Sequence, residues 1–182
     1  MLFTRRRGLL SVVALIPLAP TFQAAGLLAE RASERSAAPP AVVFPMRAHP
    51  DWGEQDARFG AYRSGHMHEG QDVFAKPGTP LVAMRDGKVV ETGDDGGRGN
   101  YVAIWSRDAR STFVFLHMLR PTRLHPGEGV HAGQRVGAVG CTGSCWGDHL
   151  HIEVRSGRGT TGSPHDPLPL LKRLAARRES RE

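Results

Sequence analysis

The folded part of this 182-residue chain lacks an excess of charge of either sign. The whole chain has 24 basic and 18 acidic residues, but three arginines stand near the N-terminus. The segment 171–182 holds five more basic residues and two acidic ones, so residues 26–170 are left with 16 of each sign. Because nucleic-acid binding requires a basic surface, this balance argues against DNA or RNA as a partner.

Long uninterrupted segments are also missing. The 22 glycines and 13 prolines interrupt the chain at short intervals and leave little room for long helices. We find neither an internal repeat nor the heptad pattern of a coiled coil. Short apolar runs instead follow one another at roughly 8–12-residue spacing, with turn-forming residues between them, which is typical of an all-β fold.

The turn residues predict how some of these strands pair. Asp86-Gly87 is a two-residue hairpin signal between the runs 79–84 and 88–92. The runs 100–105 and 111–116 form a second alternating pair, and only residues 169–178 are typical of a helix. This helix is amphipathic and basic on one face, and we expect it to be solvated rather than membrane-bound. The sequence therefore predicts one compact all-β domain with short loops and a C-terminal helical tail.

The N-terminus has the order of a secretory signal. Arg5-Arg6-Arg7 precedes the apolar run 8–20, and small residues follow at 23–25. The apolar run is too short to span a bilayer comfortably, although an uncleaved anchor remains an alternative. The arginines also resemble a twin-arginine signal, which leaves the export route open. We expect an exported protein of the periplasm or the extracellular cell envelope.

These patterns divide the chain into four parts. We predict a signal peptide at 1–25, a linker at 26–45, the folded domain at 46–170 and a basic tail at 171–182.

Cysteine is scarce, with only Cys141 and Cys145 in the chain. An even count in an exported protein favours a disulfide, and the intervening Thr-Gly-Ser can form a tight loop. Such a bridge would hold the loop before His149. The alternatives are two free buried thiols, or Cys145 as an additional soft metal ligand. No serine or cysteine nucleophile arrangement competes as a catalytic centre.

Five residues can build a hydrolytic metal site, namely His68, Asp72, His117, His149 and His151. A catalytic zinc needs three protein ligands and one open position, and two histidines with a carboxylate are a common set. Residues two apart in a strand share a face, so His149 and His151 would enter one cavity together. His68 and Asp72, four apart, share a face in a strand or a helix, and Gly70 lets the backbone turn close to the metal.

A histidine can have a structural role and need not bind a metal. The chain has nine, and a single histidine is more often a structural or surface residue than a ligand. We expect this role for the remaining five, His49, His66, His125, His131 and His165. The spacing by itself does not say which of His149 and His151 binds the metal.

With these residues in place, the chain from about 58 to 169 resembles the lysostaphin-type (LytM-like) zinc metalloendopeptidases, which cut peptide bridges of bacterial peptidoglycan. The resemblance rests on motifs that occur in the same order over most of the chain. They are His-x-Gly-x-Asp at 68–72, Pro-Gly-Thr-Pro at 77–80, Asp-Gly at 86–87, Gly-Asn at 99–100, Phe-Leu-His-Met-Leu at 115–119, Val-x-x-Gly-Gln at 130–134, Val-Gly at 136–137, Thr-Gly at 142–143 and His-Leu-His-Ile-Glu-Val at 149–154.

The resemblance implies roles for the five residues. His68, Asp72 and His151 would bind one zinc ion per chain, and His117 and His149 would be the catalytic pair. We assign His149 as the base and His117 as the stabiliser of the oxyanion, although these roles are exchangeable. It also implies antiparallel sheets that form an open groove with the metal at its floor.

The implied activity is hydrolysis of peptidoglycan cross-links by a metal-activated water, with stem peptides and cross-bridges as partners. We expect no nucleic acid partner and no stable membrane insertion of the mature chain. The loop before His149 departs from the family, because Cys141, Cys145, Trp146 and Asp148 replace the usual Asn, Ser, Thr and Pro. The peptide bond that is cut therefore stays open.

Two other readings compete with the enzyme. One is a non-catalytic wall-binding or amidase-activating module, but such modules typically lose ligands and here all five positions are filled. The other is a biotinyl or lipoyl carrier, because 129–137 resembles a strand and turn of those barrels. A carrier needs a modifiable lysine at a hairpin tip, and the surroundings of Lys88 do not resemble one.

Overall fold

The structure is a computed structural model that describes residues 41–181. The predicted signal peptide and most of the predicted linker lie outside the described residues. The strands are β1 (Tyr62–Arg63), β2 (His66–Met67), β3 (Gln71–Phe74), β4 (Pro80–Val82), β5 (Gly87–Asp95), β6 (Gly99–Ser106), β7 (Ser111–Met118), β8 (Gly129–Val130), β9 (Arg135–Ala138), β10 (His149–Ser156) and β11 (Pro164–His165). A 3₁₀ turn spans Gln55–Ala57, and the helix α1 spans Leu168–Glu179.

A seven-stranded antiparallel sheet organises the domain. Its order is β11-β10-β7-β6-β5-β8, and β3 also pairs with β10. Two small sheets, β1-β2 and β4-β9, flank it, and every named pairing is antiparallel. The prediction of an all-β fold with a C-terminal helix is confirmed, as is the pairing of the runs 100–105 and 111–116 in β6 and β7.

The hairpin predicted at Asp86-Gly87 is wrong. β4 pairs with β9 in a small sheet, whereas β5 pairs with β6 and β8 in the large one. The dipeptide therefore lies where the chain passes between two sheets. A Cβ at Gly87 would lie 2.6 Å from the carbonyl oxygen of Trp105, and Asp86 Oδ1 accepts a hydrogen bond from the Ala132 amide at 2.8 Å. Glycine is required at 87 by close packing against Trp105, and aspartate at 86 is explained by its hydrogen bond to Ala132. Neither residue forms a hairpin turn here.

The main core lies against one face of the large sheet. Alternate residues of β6, β7 and β10 meet residues of β4, β9 and α1 there. Leu171, Leu174 and Ala175 bury one face of α1 in this core, so the helix is docked rather than fully solvated. The predicted boundary between residues 170 and 171 thus falls inside α1. Phe44, from the predicted linker, is also buried in this core. Within residues 41–181 there is no helix of the length and hydrophobicity that crossing a membrane requires.

Candidate metal centre

Three adjacent strands bring the predicted site residues together. β10 lies between β3 and β7, and its residue His151 stands opposite Asp72 on one side and Leu116 on the other. Directly opposed residues of antiparallel strands have their side chains in contact. The alternation of β10 places His149 and His151 on the face of the sheet away from the main core. His149 and His151 therefore share one face, as their spacing predicts.

His117 reaches the same face through an irregularity of β7. Between the pairs Asn100–Met118 and Val102–Phe115, two residues of β7, Leu116 and His117, oppose one residue of β6. This is a β-bulge, and His117 has a left-handed φ of 57°. Regular alternation would have pointed His117 towards the core, because Phe115 is a core residue. The bulge redirects its imidazole to the site.

His68 comes from the segment between β2 and β3. It lies outside any strand or helix, so the shared face predicted for positions 68 and 72 arises from a turn. A Cβ at Gly70 would lie 2.6 Å from His151 Nε2 and 2.6 Å from the Ile152 carbonyl oxygen. Only glycine allows the backbone to approach β10 this closely, which is the role predicted for it.

The ligand-type atoms of His68, Asp72 and His151 converge in one buried cluster. One atom from each residue lies within 4.8 Å of the others. His68 Nε2 is 2.9 Å from His151 Nδ1, and Asp72 Oδ1 is 3.2 Å and 2.9 Å from these two nitrogens. Two imidazole nitrogens and a carboxylate oxygen that face one another at these distances suit a divalent cation with nitrogen and oxygen ligands.

The second ring nitrogen of His68 and that of His151 each contact an oxygen atom outside the cluster. His68 Nδ1 is 2.8 Å from the carbonyl oxygen of Arg58, which can only accept, so Nδ1 carries the proton and Nε2 is left with its lone pair. His151 Nε2 lies 3.2 Å from Glu153 Oε1, which leaves Nδ1 facing the cluster. Hydrogen bonds of this kind orient metal-binding imidazoles.

Two arginines hold the carboxylates of the cluster. Arg63 donates from Nη2 to Asp72 Oδ2 at 2.6 Å, which leaves Oδ1 as the oxygen that faces the imidazoles. Arg155 donates from Nε to Glu153 Oε2 at 2.5 Å and also forms an ion pair with Glu69. Hydrogen bonds and ion pairs thus fix the orientation of the three side chains that could bind a metal.

His117 and His149 are held by a loop instead. His117 Nδ1 is 2.8 Å from the Thr142 carbonyl oxygen, and His149 Nδ1 is 2.7 Å from that of Gly147. Both imidazoles thus carry the proton on Nδ1, with Nε2 free, and their ring centroids are 5.0 Å apart. His149 Nε2 is buried without a hydrogen-bond partner and lies 3.5 Å from Asp72 Oδ1.

Burial and charge shift the pKa values in opposite directions across the site. Burial by itself would raise the pKa of Asp72, but hydrogen bonds with His151 and His68 hold it far below its ordinary value. Burial would lower the pKa of His151, yet Asp72 and Glu153 raise it. Burial lowers the pKa of His117 to about 4 and also lowers that of His149. Both of these imidazoles are therefore neutral near pH 7.

The loop that holds these two imidazoles is closed by a disulfide. Cys141 and Cys145 are bonded, with their Cα atoms 5.4 Å apart, so the predicted disulfide is present in the structure. Cys145 Sγ contacts the Gly147 carbonyl at 3.1 Å. Thr142 thus lies inside the loop that the bridge closes, and Gly147 follows two residues after Cys145. Next to it, Trp146 is 86% exposed, at the edge of the site.

The structure brings all five predicted site residues together. The other described histidines, His49, His66, His125, His131 and His165, are exposed and lie outside the cluster. Our sequence reasoning missed Glu153, although its position two residues after His151 in a strand places it on the same face. It also missed Arg63 and Arg155, whose contacts depend on how the hairpin β1-β2 and strand β10 meet the site.

Comparison with known proteins finds peptidases. The sequence profile of peptidase family M23 matches residues 66–167, which is more than half of the chain. The glycyl-glycine endopeptidase ALE-1 of Staphylococcus capitis is 34% identical over 110 residues, covering 60% of this chain and 30% of that protein. The peptidoglycan DD-endopeptidase ShyC of Vibrio cholerae is 37% identical over 109 residues, covering 60% of this chain and 22% of that protein. The match thus spans less than a third of either relative.

Among solved structures, the catalytic domain of the antimicrobial peptidase lysostaphin from Staphylococcus simulans has a similar fold. The TM-score is 0.57 at 34% identity, and the match covers 63% of this chain and 89% of that domain. The similarity therefore concerns the catalytic domain of that enzyme.

Proposed function

Because the chain belongs to peptidase family M23, we propose that it is a zinc-dependent endopeptidase that hydrolyses peptide cross-links of bacterial peptidoglycan. The observation that carries this proposal is the convergence of two imidazole nitrogens and a carboxylate oxygen beside two further imidazoles with free Nε2 atoms. The proposed substrate class is supported by the activities named for the relatives, a peptidoglycan DD-endopeptidase and a glycyl-glycine endopeptidase.

In this proposal His68 Nε2, His151 Nδ1 and Asp72 Oδ1 hold the zinc ion. The set of two histidines and one carboxylate is that of many hydrolytic zinc sites, in which a position stays open for water or substrate. A fitted zinc would also relieve the close approach of His68 Nε2 to His151 Nδ1, two atoms whose lone pairs face each other when both rings are neutral. When bound, zinc supplies Lewis-acid activation of water and of the scissile carbonyl.

The two remaining imidazoles move protons. His149 accepts the proton of the attacking water at Nε2, because its Nδ1 proton is committed to the Gly147 carbonyl. The nearby Asp72 carboxylate stabilises the resulting imidazolium, which then gives the proton to the departing amine. His117 is neutral at rest, so it takes a proton from solvent at Nε2 and, as the imidazolium, stabilises the oxyanion by donating from that atom. The Asp72 contact is our reason for assigning the base to His149 rather than His117.

The test is digestion of purified peptidoglycans of different cross-bridge types, with products read by mass spectrometry. We expect new amino termini at one type of peptide bond, loss of all cleavage with a chelator, and recovery on adding zinc. Zinc-loaded protein that binds peptidoglycan but releases no new amino termini would instead make it a non-catalytic wall-binding or amidase-activating module.

We also propose that the protein acts outside the cytoplasm, in the periplasm or the extracellular envelope. Support comes from the signal-like segment 1–25 and from the location of peptidoglycan itself. Cell fractionation of the full chain, followed by N-terminal sequencing, tests both export and the predicted cleavage after residue 25.

A further inference from the structure

A depression of about 590 Å³ lies between the end of β7 and strand β9, and three arginines, Arg120, Arg123 and Arg135, line it. We call it the arginine pocket. Its wall also contains Leu119, whose side chain is 42% exposed, and it contains no acidic residue. The volume is within the range of pockets that hold small ligands or parts of a peptide.

The arginine pocket adjoins the catalytic strands. β7, which carries His117, ends at Met118, and the chain continues directly into the pocket wall at Leu119 and Arg120. The Leu119 amide donates to the Ala138 carbonyl at 3.0 Å, and two residues later Gly140 bridges to His149. Because β10 begins at the end of the sheet where β7 finishes, the pocket lies at the end that carries the two catalytic imidazoles.

No carboxylate of the described part of the chain is paired with the arginines of the pocket. Within residues 41–181, none of its three arginines forms an ion pair, and all three are exposed. Arg135 has only a hydrogen bond from Nε to the Gly137 carbonyl. Arg63, Arg98 and Arg155, by contrast, are each paired with a carboxylate. A concentration of unpaired guanidinium groups around a concave surface favours an anionic ligand, and the planar fork of arginine matches a carboxylate.

We propose that the arginine pocket is a substrate subsite that binds carboxylates of an acidic peptide stem and so positions the neighbouring peptide bond at the metal centre. This inference rests on the proposed function. We take the occupant to be a peptide because the pocket wall begins two residues after His117, a distance that an extended peptide bound there spans. Exposed Leu119 offers its apolar surface to the aliphatic part of the same peptide.

The experiment uses cross-linked muropeptides, released from peptidoglycan, in their free-acid form and after chemical amidation of all carboxyl groups. With the zinc-loaded protein we expect amidation to raise KM about fivefold to tenfold and to change kcat little, because the arginines contact substrate away from the reacting bond. The triple variant Arg120→Gln/Arg123→Gln/Arg135→Gln should cleave both forms with the same, high KM.

The matched control is Arg173→Gln/Arg177→Gln/Arg181→Gln, in α1 and just after it, which removes the same charge elsewhere; we call it the α1 variant. It should keep the wild-type difference between the two muropeptides. The proposal is overturned if wild-type KM is unaffected by amidation, or if the α1 variant loses the difference as fully as the pocket variant. It is also overturned if the pocket variant keeps the KM difference but loses binding to phosphatidylglycerol vesicles, since the pocket would then serve lipid.

A binding measurement separates failure of this inference from failure of the proposed function. Fluorescence anisotropy of labelled free-acid muropeptide, with both triple variants in a His149→Ala background, reports the pocket without cleavage. If the wild-type protein cleaves no muropeptide, the proposed function is contradicted. The affinities from anisotropy then still test whether the pocket binds the free-acid muropeptide. Equal affinity of the pocket variant and its parent for the free-acid form would overturn the inference alone.

Discussion

His151 and His117 lie on neighbouring strands with ring centroids 5.8 Å apart, yet the protein surrounds them differently. Carboxylates contact both ring nitrogens of His151, Asp72 at Nδ1 and Glu153 at Nε2. Among the described residues, the imidazole of His117 has one hydrogen-bond partner, the Thr142 carbonyl. We call these surroundings the carboxylate side and the carbonyl side of the site.

The two sides shift the pKa of an imidazole in opposite directions. On the carboxylate side the pKa of His151 is raised despite burial, whereas on the carbonyl side burial lowers the pKa of His117 to about 4. Negative charge concentrated around His151 suits an imidazole that shares a cation. Neutral carbonyls around His117 and His149 leave a free lone pair on each Nε2, as proton transfer requires. The same residue type is thus prepared for two tasks by its neighbours.

The largest expected effect comes from breaking each side in turn. His151→Ala and Asp72→Ala should lose zinc and with it all measurable peptidase activity. His149→Ala should keep about one zinc per chain and lose roughly 10²- to 10⁴-fold in kcat, the usual size of a general acid–base contribution. Zinc content by mass spectrometry of the intact protein, together with peptidoglycan digestion, distinguishes the two classes.

His68→Ala should behave as the ligand variants do, and His117→Ala as His149→Ala does. A His149→Ala protein without zinc, alongside a His151→Ala protein that retains it, would show that the two histidines of β10 are assigned in the wrong order.

The carboxylate side can be weakened without removing a ligand. Glu153→Gln keeps the shape of the side chain but removes the charge that Arg155 and His151 share. We expect zinc affinity to fall about 10- to 100-fold, as when the outer partner of a metal-binding histidine is lost. Competition with a chromophoric chelator measures this. Glu91→Gln is the matched control, because Glu91 also pairs with an arginine but contacts none of the site imidazoles, and zinc affinity should be unchanged. Equal losses in both variants would contradict the proposed role of Glu153.

The carbonyl side can be loosened at its disulfide. Cys141→Ser/Cys145→Ser should keep zinc but lower kcat several-fold, because the loop bearing both acceptor carbonyls gains freedom. For so small a loop, the chain-entropy account gives about 2 kcal/mol of lost stability. Thermal unfolding and steady-state digestion measure the two effects. Two reactive thiols in unfolded, unreduced wild-type protein from an oxidising compartment would contradict the bridge, and an unchanged kcat would contradict its role in positioning.

The last prediction concerns the pH dependence of stability. In the metal-free protein the pKa of His117 is about 4 when folded and about 6.5 when unfolded. The unfolded chain therefore binds a proton first, so the stability due to neutral His117 is fully present above pH 6.5 and is lost as pH falls through 4.

His117→Asn removes this titration, and asparagine tolerates the left-handed φ of that position. Between pH 6.5 and 4 we expect the unfolding free energy of the metal-free wild type to fall more steeply than that of the variant, by up to about 1.4 kcal/mol per pH unit. Urea unfolding at several pH values measures the slopes. Parallel slopes would mean that His117 is not held neutral by burial.

The sequence by itself determined the long strands β5, β6 and β7 and the face that carries the β10 pair. Period-two alternation is a property of the chain, so His149 and His151 had to share a face once that segment was a strand. The role of Gly70 and the Cys141–Cys145 bridge were also readable, because each depends on residue type and short spacing. The resemblance to a known family then gave the division of roles between the two β10 histidines.

Other features were decided only by the tertiary structure, because each depends on residues distant in sequence. The bulge that turns His117 to the site arises from the register of β7 against β6, and no local sequence pattern predicts it. Asp86-Gly87 has the residues of a hairpin, but the pairing of β4 with β9 overrides that preference. Arg63 meets Asp72, and the arginine pocket adjoins the catalytic strands, because long-range strand pairing brings separate segments together. Local spacing fixes which way a side chain points, whereas the register between strands fixes what it meets.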